Sequence, residues 1–458
     1  MSSFQIALTR QTEKVAGIKR WCLDFPVHEQ SETPTHLTEK GLTFQGWVLR
    51  EHLDELQIEL HHADQIHSFA LDVVRPDVVR IILKEEPAGH PQLYCGFYFT
   101  VQLQMPVFTL GIRWRGRFYP WYRGEASGEF KVLKGLDRWL FLDNDTNQTV
   151  EQHLGRLLLD KDCQRQWQQY FAQSQYYQQV WQRPFALLVS PAKEAIYAQF
   201  HPLPRAALTT TEQLLSLCPA GYPLVFPELP LKQAAQPAFL KTDTHWTNFG
   251  AGVATIELAV ALGLDRTAVT ELFAADKYRT VSHCGDLGNK LLPPQRNDEL
   301  FQASFNYHLS IRYDNKLANF GRIIVIENPK ALVSGHCLQF GSSSSYSMLN
   351  YLCRIFRRVT MIHTAGNIDP ALVAQFAPDY VVAQTNARFV VRAPEVDYRL
   401  VETLQQKLSG LSVAERQQLI DQATEMAAKD PQSAVQVAHQ QLLEAMATLP
   451  AAELHSHT

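Results

Sequence analysis

The chain has 458 residues, 46% of them apolar and 19% charged, a globular composition without the bias of fibrous or disordered proteins. That length accommodates about two to four domains of ordinary size. Its 42 basic and 46 acidic residues leave a net charge of −4, so no basic excess is present to neutralise a phosphate backbone, and nucleic acid is excluded as an expected partner.

At the N-terminus Arg10 and Lys14 interrupt the apolar residues before a secretory h-region forms. The longest apolar stretch, Ala251 to Leu264, is broken by Thr255 and Glu257 and falls short of the roughly 20 residues a spanning helix needs. The seven cysteines (Cys22, Cys95, Cys163, Cys218, Cys284, Cys337, Cys353) are scattered, odd in number and never in CxxC spacing, which argues against a disulfide framework or a thiolate zinc site. The expectation is a cytoplasmic protein with no transmembrane segment, no metal and no cofactor.

From about Gly17 to Gly124, short alternating runs such as Leu42-Thr-Phe-Gln-Gly-Trp-Val-Leu49 and Gly96-Phe-Tyr-Phe-Thr-Val-Gln-Leu103 predict the strands of an all-β sandwich over residues 1–125. Gly46-Trp47-Val48-Leu49, Arg75-Pro76-Asp77-Val78 and Cys95-Gly96-Phe97 resemble the motifs of a small sandwich module found beside glycan-processing enzymes in bacterial surface-polysaccharide clusters. The resemblance implies a carbohydrate-binding role; the plain alternative is that Trp47, Pro76 and Phe97 are core and turn residues. Arg113-Trp-Arg-Gly-Arg-Phe-Tyr-Pro-Trp-Tyr122 offers exposed-aromatic candidates for stacking on sugars, or else a last strand buried against its neighbour. His61, His62 and His67 lack a clustered acidic or thiolate partner and read as surface residues.

Over residues 126–400, Phe185–Ser190, Arg322–Ile326, Cys337–Phe340 and Tyr380–Ala383 are continuous apolar runs separated by helical segments such as Val253–Leu264 and Ser347–Arg358. This alternation predicts an α/β unit, a parallel sheet flanked by helices, with ligand sites at the carboxyl ends of its strands. Residues 401–458 predict a helical C-terminal segment: Ser412-Val-Ala-Glu415 is a capping box, Asp430-Pro431 a break, and Ser433 to Leu449 a second helix. This helical hairpin is a cover for the sheet or a surface for a protein partner, and the tail Glu453–Thr458 is expected to be disordered.

Two polar runs carry chemistry. Lys241-Thr-Asp-Thr-His-Trp-Thr-Asn-Phe-Gly250 places Asp243 two residues before His245, a spacing at which the carboxylate can accept the imidazole Nδ1–H and orient a general base. The alternative is a helix-capping carboxylate beside a surface histidine. Leu338-Gln-Phe-Gly-Ser-Ser-Ser-Ser-Tyr-Ser347 sets small hydroxyl residues between a strand and a helix, where a nucleophile stands above the sheet next to free N–H groups. A serine linker or a phosphate cradle is the alternative, although the lysine of a phosphate-binding loop is missing. Cys284 beside His283 reads as an inert thiol.

These runs resemble the SGNH-hydrolase-like proteins related to alginate O-acetyltransferase, which carry an Asp-x-His-Trp motif ahead of their serine. The landmarks follow in order from Val132 to Arg388: Gly135-Leu-Asp-Arg-Trp-Leu-Phe-Leu142, Val189-Ser-Pro-Ala-Lys193 with Ile196-Tyr197, Thr242-Asp-Thr-His-Trp-Thr247 with Gly250, Gly285-Asp-Leu-Gly288, Phe340-Gly-Ser-Ser343, and Pro378-Asp-Tyr-Val-Val382 with Arg388. The resemblance implies an SGNH-type sheet and an O-acetyltransferase or O-acetylesterase acting on a bacterial surface polysaccharide or its precursor. In it Ser343 is nucleophile, His245 base and Asp243 orienter, with Asn386, Arg388, Trp246 and Gly341 as oxyanion or substrate candidates; the partners are a carbohydrate acceptor and an acyl donor. Two features depart from the family pattern. Ser342 stands where an Asp is usual, so the register allows Ser345 as well as Ser343, and Gln384 and Ala387 stand where acidic residues are common. A second reading is a non-catalytic glycan-binding or assembly protein that uses the sandwich and keeps the SGNH-like unit as scaffold.

Overall fold

The structure, a computed structural model, describes residues 4–12, 14–26, 29–31, 37–38, 41–62, 65–103, 105–129, 132–292 and 294–449, which form a mixed α/β architecture with several sheets. In the N-terminal part, Phe4–Arg10, Val107–Trp114, Arg117–Glu129, Leu56–His62 and Gln65–Phe69 build one antiparallel sheet with the short strand Glu29–Ser31 at its edge. Ile18–Phe25, Gly41–Arg50, Leu37–Thr38 and Gly96–Val101 build a second. Alternate residues of both sheets share one core, in which Phe44, Val48, Phe97 and Phe99 meet Ile58, Leu60, Phe108, Leu110 and Ile112.

Gly41–Arg50 is buried along nearly its whole length because its outer face is covered as well: Trp47 and Leu49 pack with Val78 and Cys95. The three motifs read from this part thus meet in space as packing residues. Val48 N–H donates to Cys95 C=O at 2.8 Å, and Arg75 pairs with Asp77 of its own motif and with Asp24 of the strand Ile18–Phe25, both at 2.7 Å. Pro76 is exposed at the first position of the short helix Pro76–Val78, where its missing N–H costs nothing.

For the tryptophans of the run Arg113–Tyr122 the buried alternative holds, and one expectation for this part needs correction. Trp114 and Trp121 are 7% and 0% exposed, Trp121 stacked on Trp21 at 4.2 Å, so neither presents a face to a sugar. His62 is 2% exposed rather than on the surface, its Nε2 3.0 Å from that of His67, because its strand position faces inward under Gln65–Phe69.

The α/β part is organised by a seven-stranded sheet in the order Leu224–Val225, Phe185–Ser190, Tyr380–Asn386, Val333–Gly341, Phe356–His363, Ile323–Glu327, Ile311–Asp314. The first five are parallel, while Ile323–Glu327 runs antiparallel to Phe356–His363, and Ile311–Asp314 antiparallel to Ile323–Glu327. The sheet is therefore mixed, not wholly parallel as expected. The connections from 315 to 322 and from 328 to 332 are too short for a crossover helix, and short connections reverse strand direction. Phe356–His363, missed in the sequence, begins where the helix Ser345–Ile355 ends, earlier than the expected Arg358.

Both faces of this sheet are covered, which is why its central strands are apolar throughout. Leu187, Val189, Leu338, Phe340 and Val381 face Trp167 and Phe171 of the helix Lys161–Trp181 together with the C-terminal helices. Ala186, Leu188 and Val382 face Ala254 and Leu258 of the helix Asn248–Ala261 and Met348 and Leu352 of Ser345–Ile355. In the C-terminal segment the two expected helices, Val413–Lys429, opened by the capping box at Ser412, and Ser433–Ala447, are preceded by a third that was not expected, Leu400–Ser409. Leu404, Leu408, Val435 and Leu442 are buried in the sheet's core, so these helices complete one layer. Leu442→Ala is expected to cost about 2–5 kcal/mol in urea unfolding, as a fully buried leucine does; a loss under about 0.5 kcal/mol would mean the helices dock only loosely. The tail 453–458 lies outside the described residues, among which no helix is long and apolar enough to cross a membrane.

The two parts are joined by more than the chain. Leu291–Leu292 pairs with Gly128 and Glu129, and Gln102 Nε2 donates to Asn289 Oδ1 at 3.0 Å.

Candidate active site

Val333–Gly341 delivers the serine run to the carboxyl end of the sheet. There Ser345 N–H bonds back to Ser342 C=O at 3.0 Å and the helix Ser345–Ile355 begins. The turn is tight: a Cβ at Gly341 would lie 2.2 Å from Ser345 Oγ, so only glycine fits. Ser343 sits at the apex, half-buried, and its Oγ lies 2.9 Å from His245 Nε2. Ser345 is fully buried beneath Gly341 and donates to Gln384 Oε1 at 2.8 Å, so of the two hydroxyls left open by the sequence it is Ser343 that faces the imidazole.

His245 is oriented from its other side, where Asp243 Oδ1 accepts from Nδ1 at 2.7 Å and from the His245 backbone N–H at 2.9 Å. Asp243 does not cap the following helix; Thr247 does, accepting from Gly250 N–H at 3.0 Å. Trp246 is buried and ties the two polar runs together, its Nε1 donating to Ser344 C=O at 3.0 Å and Ser347 Oγ at 2.7 Å.

The Asp-x-His loop is held by two of the landmarks, whose part in the site the sequence did not disclose. Lys193, 4% exposed, donates to the carbonyls of Leu240, Lys241 and Asp243 at 3.2, 3.3 and 2.6 Å, its ammonium also lying over the rings of Trp139 and Phe141. Burial brings its pKa down to about 8. The loop Gly285-Asp-Leu-Gly288 folds onto Thr242 and Asp243: Leu287 and Gly288 N–H reach Thr242 C=O, and Asp286 N–H reaches Asp243 Oδ2 at 3.0 Å. A Cβ at Gly285 would lie 2.4 Å from Asp243 Cβ, which is why glycine stands there.

The Asp286 carboxylate accepts from Thr244 N–H at 2.7 Å and from the Thr244 hydroxyl, and lies 3.9 Å from His245 Nδ1. His283 Nε2 is 3.6 Å from Asp243 Oδ2. Cys284 donates to Asn289 Oδ1 at 2.8 Å, and burial pushes its thiol pKa up, in keeping with an inert residue. Asp243, His245 and Asp286 offer ligand atoms within 4.8 Å of one another, but His245 Nδ1 is engaged with Asp243, and Asp286 with Thr244.

Electrostatics sharpen this geometry. Burial alone would raise the Asp243 carboxyl, yet the hydrogen bond and charge of His245, aided by His283, hold it well below the usual range. Burial would depress His245; Asp243 and then Asp286 outweigh it and raise the imidazole, with Arg388 opposing. Burial and the neighbouring Asp243 charge raise Asp286.

The two departures from the family pattern prove to be one feature. Gln384 Oε1 accepts from Ser342 N–H at 2.7 Å and from the hydroxyls of Ser342 and Ser345 at 2.8 Å, while its Nε2 donates to Ser190 Oγ at 2.9 Å. A neutral amide and a hydroxyl thus brace the serine turn without a buried charge. Asn386 Oδ1 accepts from Ser344 Oγ at 2.8 Å and from Gln384 Nε2 at 3.1 Å, leaving Nδ2 as the amide atom free for the pocket. That pocket, about 40 Å³, is lined by Ser190, Phe239, His245, Ser344, Asn386 and Arg388 among others. Arg388 has no ion-pair partner among the described residues, whereas Gly341 is spent on the turn, its carbonyl accepting from Thr364 and Ala365 N–H.

A hydroxyl at a strand-to-helix turn, an imidazole on it and a carboxylate behind the imidazole make up the arrangement of serine-dependent acyl-group enzymes. Residues 132–307 match the family model described as SGNH hydrolase-like domain, acetyltransferase AlgX, a span that includes Asp243 and His245 and ends before Ser343. The chain is similar to the probable alginate O-acetylase AlgJ of Pseudomonas fluorescens, at 28% identity over 198 residues, 40% of this chain and 46% of that protein; the match spans about half the length of that curated relative. Among solved structures, the O-acetyltransferase domain of Pseudomonas putida AlgJ is 18% identical with a TM-score of 0.38, over 61% of this chain and 99% of that one. Bacillus cereus PatB1 is 15% identical with a TM-score of 0.40, over 57% and 97%.

Proposed function

We propose that the protein is an O-acetyltransferase or O-acetylesterase acting on a hydroxyl of a bacterial surface polysaccharide or its precursor, with residues 126–400 as an SGNH-like catalytic unit, 1–125 as a β-sandwich module and 401–458 as a helical cover. The observation that supports it most is the 2.9 Å contact of His245 Nε2 with Ser343 Oγ, backed by the 2.7 Å contact of Asp243 with Nδ1. In this reading Ser343 Oγ attacks the acetyl carbonyl of a donor as its proton passes to His245 Nε2, and the donor leaves with that proton. An acceptor hydroxyl, or water, then gives its proton to Nε2 and attacks the acetyl-serine carbonyl, regenerating Ser343.

The Ser343 N–H, which has no acceptor among the described residues, and Asn386 Nδ2 are the donors assigned to the developing oxyanion at the N-terminus of the serine helix. Arg388 is assigned to the donor or acceptor in the same pocket. The test is labelling with a fluorophosphonate followed by peptide mass spectrometry: the adduct is expected on Ser343 and absent in His245→Ala. No adduct, or one on another residue, removes the reading.

All seven thiols are unpaired, and we assign the protein to a reducing compartment, the cytoplasm, acting before export of its glycan. Recovery of the untagged protein from the periplasm on cell fractionation overturns that assignment.

The base must be neutral to accept a proton, so kcat/KM is expected to rise with pH through the His245 pKa, which lies above its ordinary 6.5. Asp286→Asn removes one of the charges that raise it, and the rising limb is expected to move to lower pH. An unmoved limb would leave Asp286 only its bonds to Thr244.

A further inference from the structure

Beside the catalytic pair lies a much larger cavity, an open groove of about 650 Å³, within the size range of ligand sites. Its walls are the strand pair Tyr278–His283 with Asn297–Gln302, the turn Tyr307–Ser310 and the first turns of the serine helix. Its inner end reaches the site through three lining residues. His283 is 3.6 Å from Asp243, Tyr346 N–H bonds Ser343 C=O at 3.3 Å, and Ser347 Oγ accepts from Trp246 Nε1.

The groove's chemistry is specific. Phe301, Phe305 and Tyr346 bring half-buried rings. Asn248 and Asn350 each spend Oδ1 on a backbone N–H, of Gln302 at 3.1 Å and Tyr307 at 2.9 Å, so the atom each has left for a ligand is the donor Nδ2. Gln302 keeps a buried Oε1 without a partner. No carboxylate occurs in the lining, and Arg279 at its exposed rim has no ion-pair partner among the described residues. Aromatic faces alternating with amide donors suit a ring that is apolar on its faces and hydroxylated at its edge, a pyranose. The 40 Å³ pocket on the Arg388 side has room for a small acyl group and not for a sugar.

We infer that this groove, on the catalytic unit, is the subsite for the sugar acceptor, an assignment that rests on the acyl-transfer reading above. It places acceptor and acyl group on separate sides of Ser343 and leaves the N-terminal strands to support the Gly285–Asn289 region through Gln102.

The test uses the full chain with p-nitrophenyl acetate as donor and cellopentaose or a pentauronate as acceptor, and reads the ratio of acetylated oligosaccharide to acetate released. Ala303→Trp, which fills the groove from an exposed position, is expected to lower that ratio by at least about tenfold. Asn306→Asp keeps the acceptor that caps the turn Tyr307–Ser310 and sets a negative charge in a lining that has none, so it lowers the ratio for the pentauronate and serves if the tryptophan variant does not fold. A ratio unchanged in both variants overturns the groove assignment, as does a wild-type enzyme that releases acetate yet acetylates neither oligosaccharide. Failure of the acyl-transfer reading shows differently: no turnover of the ester and no phosphonate adduct on Ser343.

Discussion

On the proposed mechanism, Ser343→Ala is expected to lower turnover of p-nitrophenyl acetate by on the order of 10⁴-fold or more, because a nucleophile and its base act as a unit and losing one forfeits most of what both supply. The fold is expected to survive. Ser343 is only half-buried, and removing its Oγ leaves no buried donor without a partner, since His245 Nε2 is then free to meet water. Ser345→Ala is the informative companion. Its hydroxyl is fully buried on Gln384, so its loss falls on stability, by about 1–2 kcal/mol, with a far smaller effect on rate. The opposite pattern, an inactive Ser345 variant and an active Ser343 variant, would reverse the assignment of the nucleophile.

The second large effect is expected at Lys193, which touches no reacting atom. Two consequences of Lys193→Met oppose each other in stability. The variant recovers the cost of burying an ammonium whose pKa has fallen to about 8, and it strips the carbonyls of Leu240, Lys241 and Asp243 of their donor. The orphaned groups are neutral carbonyls rather than a charge, so a net loss of only about 1–3 kcal/mol is expected. The rate is more sensitive, because the Asp243 carbonyl at 2.6 Å is the firmest of the three contacts and its residue carries the base. A shift of about 1 Å in such a loop costs about 10²-fold in kcat.

Because a less well placed base affects the chemical step rather than ester binding, KM is expected to hold while kcat falls, with phosphonate labelling of Ser343 slowed in parallel. A proportional loss of folded protein without a kcat change would make Lys193 purely structural. Lys193 also leaves a pH signature in stability. Its folded pKa lies below its unfolded one, so the unfolded chain binds more protons above about pH 8, and this residue makes stability rise from pH 8 toward its ordinary 10.5. Urea midpoints across that range are expected to lose this rise in Lys193→Met.

Much of this was legible in the residues themselves. Phe185–Ser190, Cys337–Phe340 and Tyr380–Ala383 are strands because a segment covered on both faces must be apolar at every position, and that pattern is local. Asp243 and His245 are two residues apart and meet through one turn of loop, and the serine run follows its strand, so the polar heart of the site was readable as well, down to a choice between Ser343 and Ser345. Three things depended on distant parts of the chain. The strand Phe356–His363 carries two arginines directly after its first residue that continue a helical pattern; its pairing with Val333–Gly341 and Ile323–Glu327 makes it a strand. Trp114 and Trp121 look the same in sequence whether they face a sugar or the opposite sheet, and burial is a property of the packed sheets alone.

The supports of the loop and of the serine turn, Lys193, Gln384 and Asp286, lie between 39 and 50 residues from the loop and turn residues they hydrogen-bond, by the numbering of the chain. Lys193, Gln384 and Asp286 stand in or beside motifs of the sequence, but no periodicity or spacing announces which group each one braces. A lone lysine or glutamine becomes part of a site only when the sheet brings its strand end beside another, because a hydrogen bond is decided by a distance in space and a motif only by a distance along the chain.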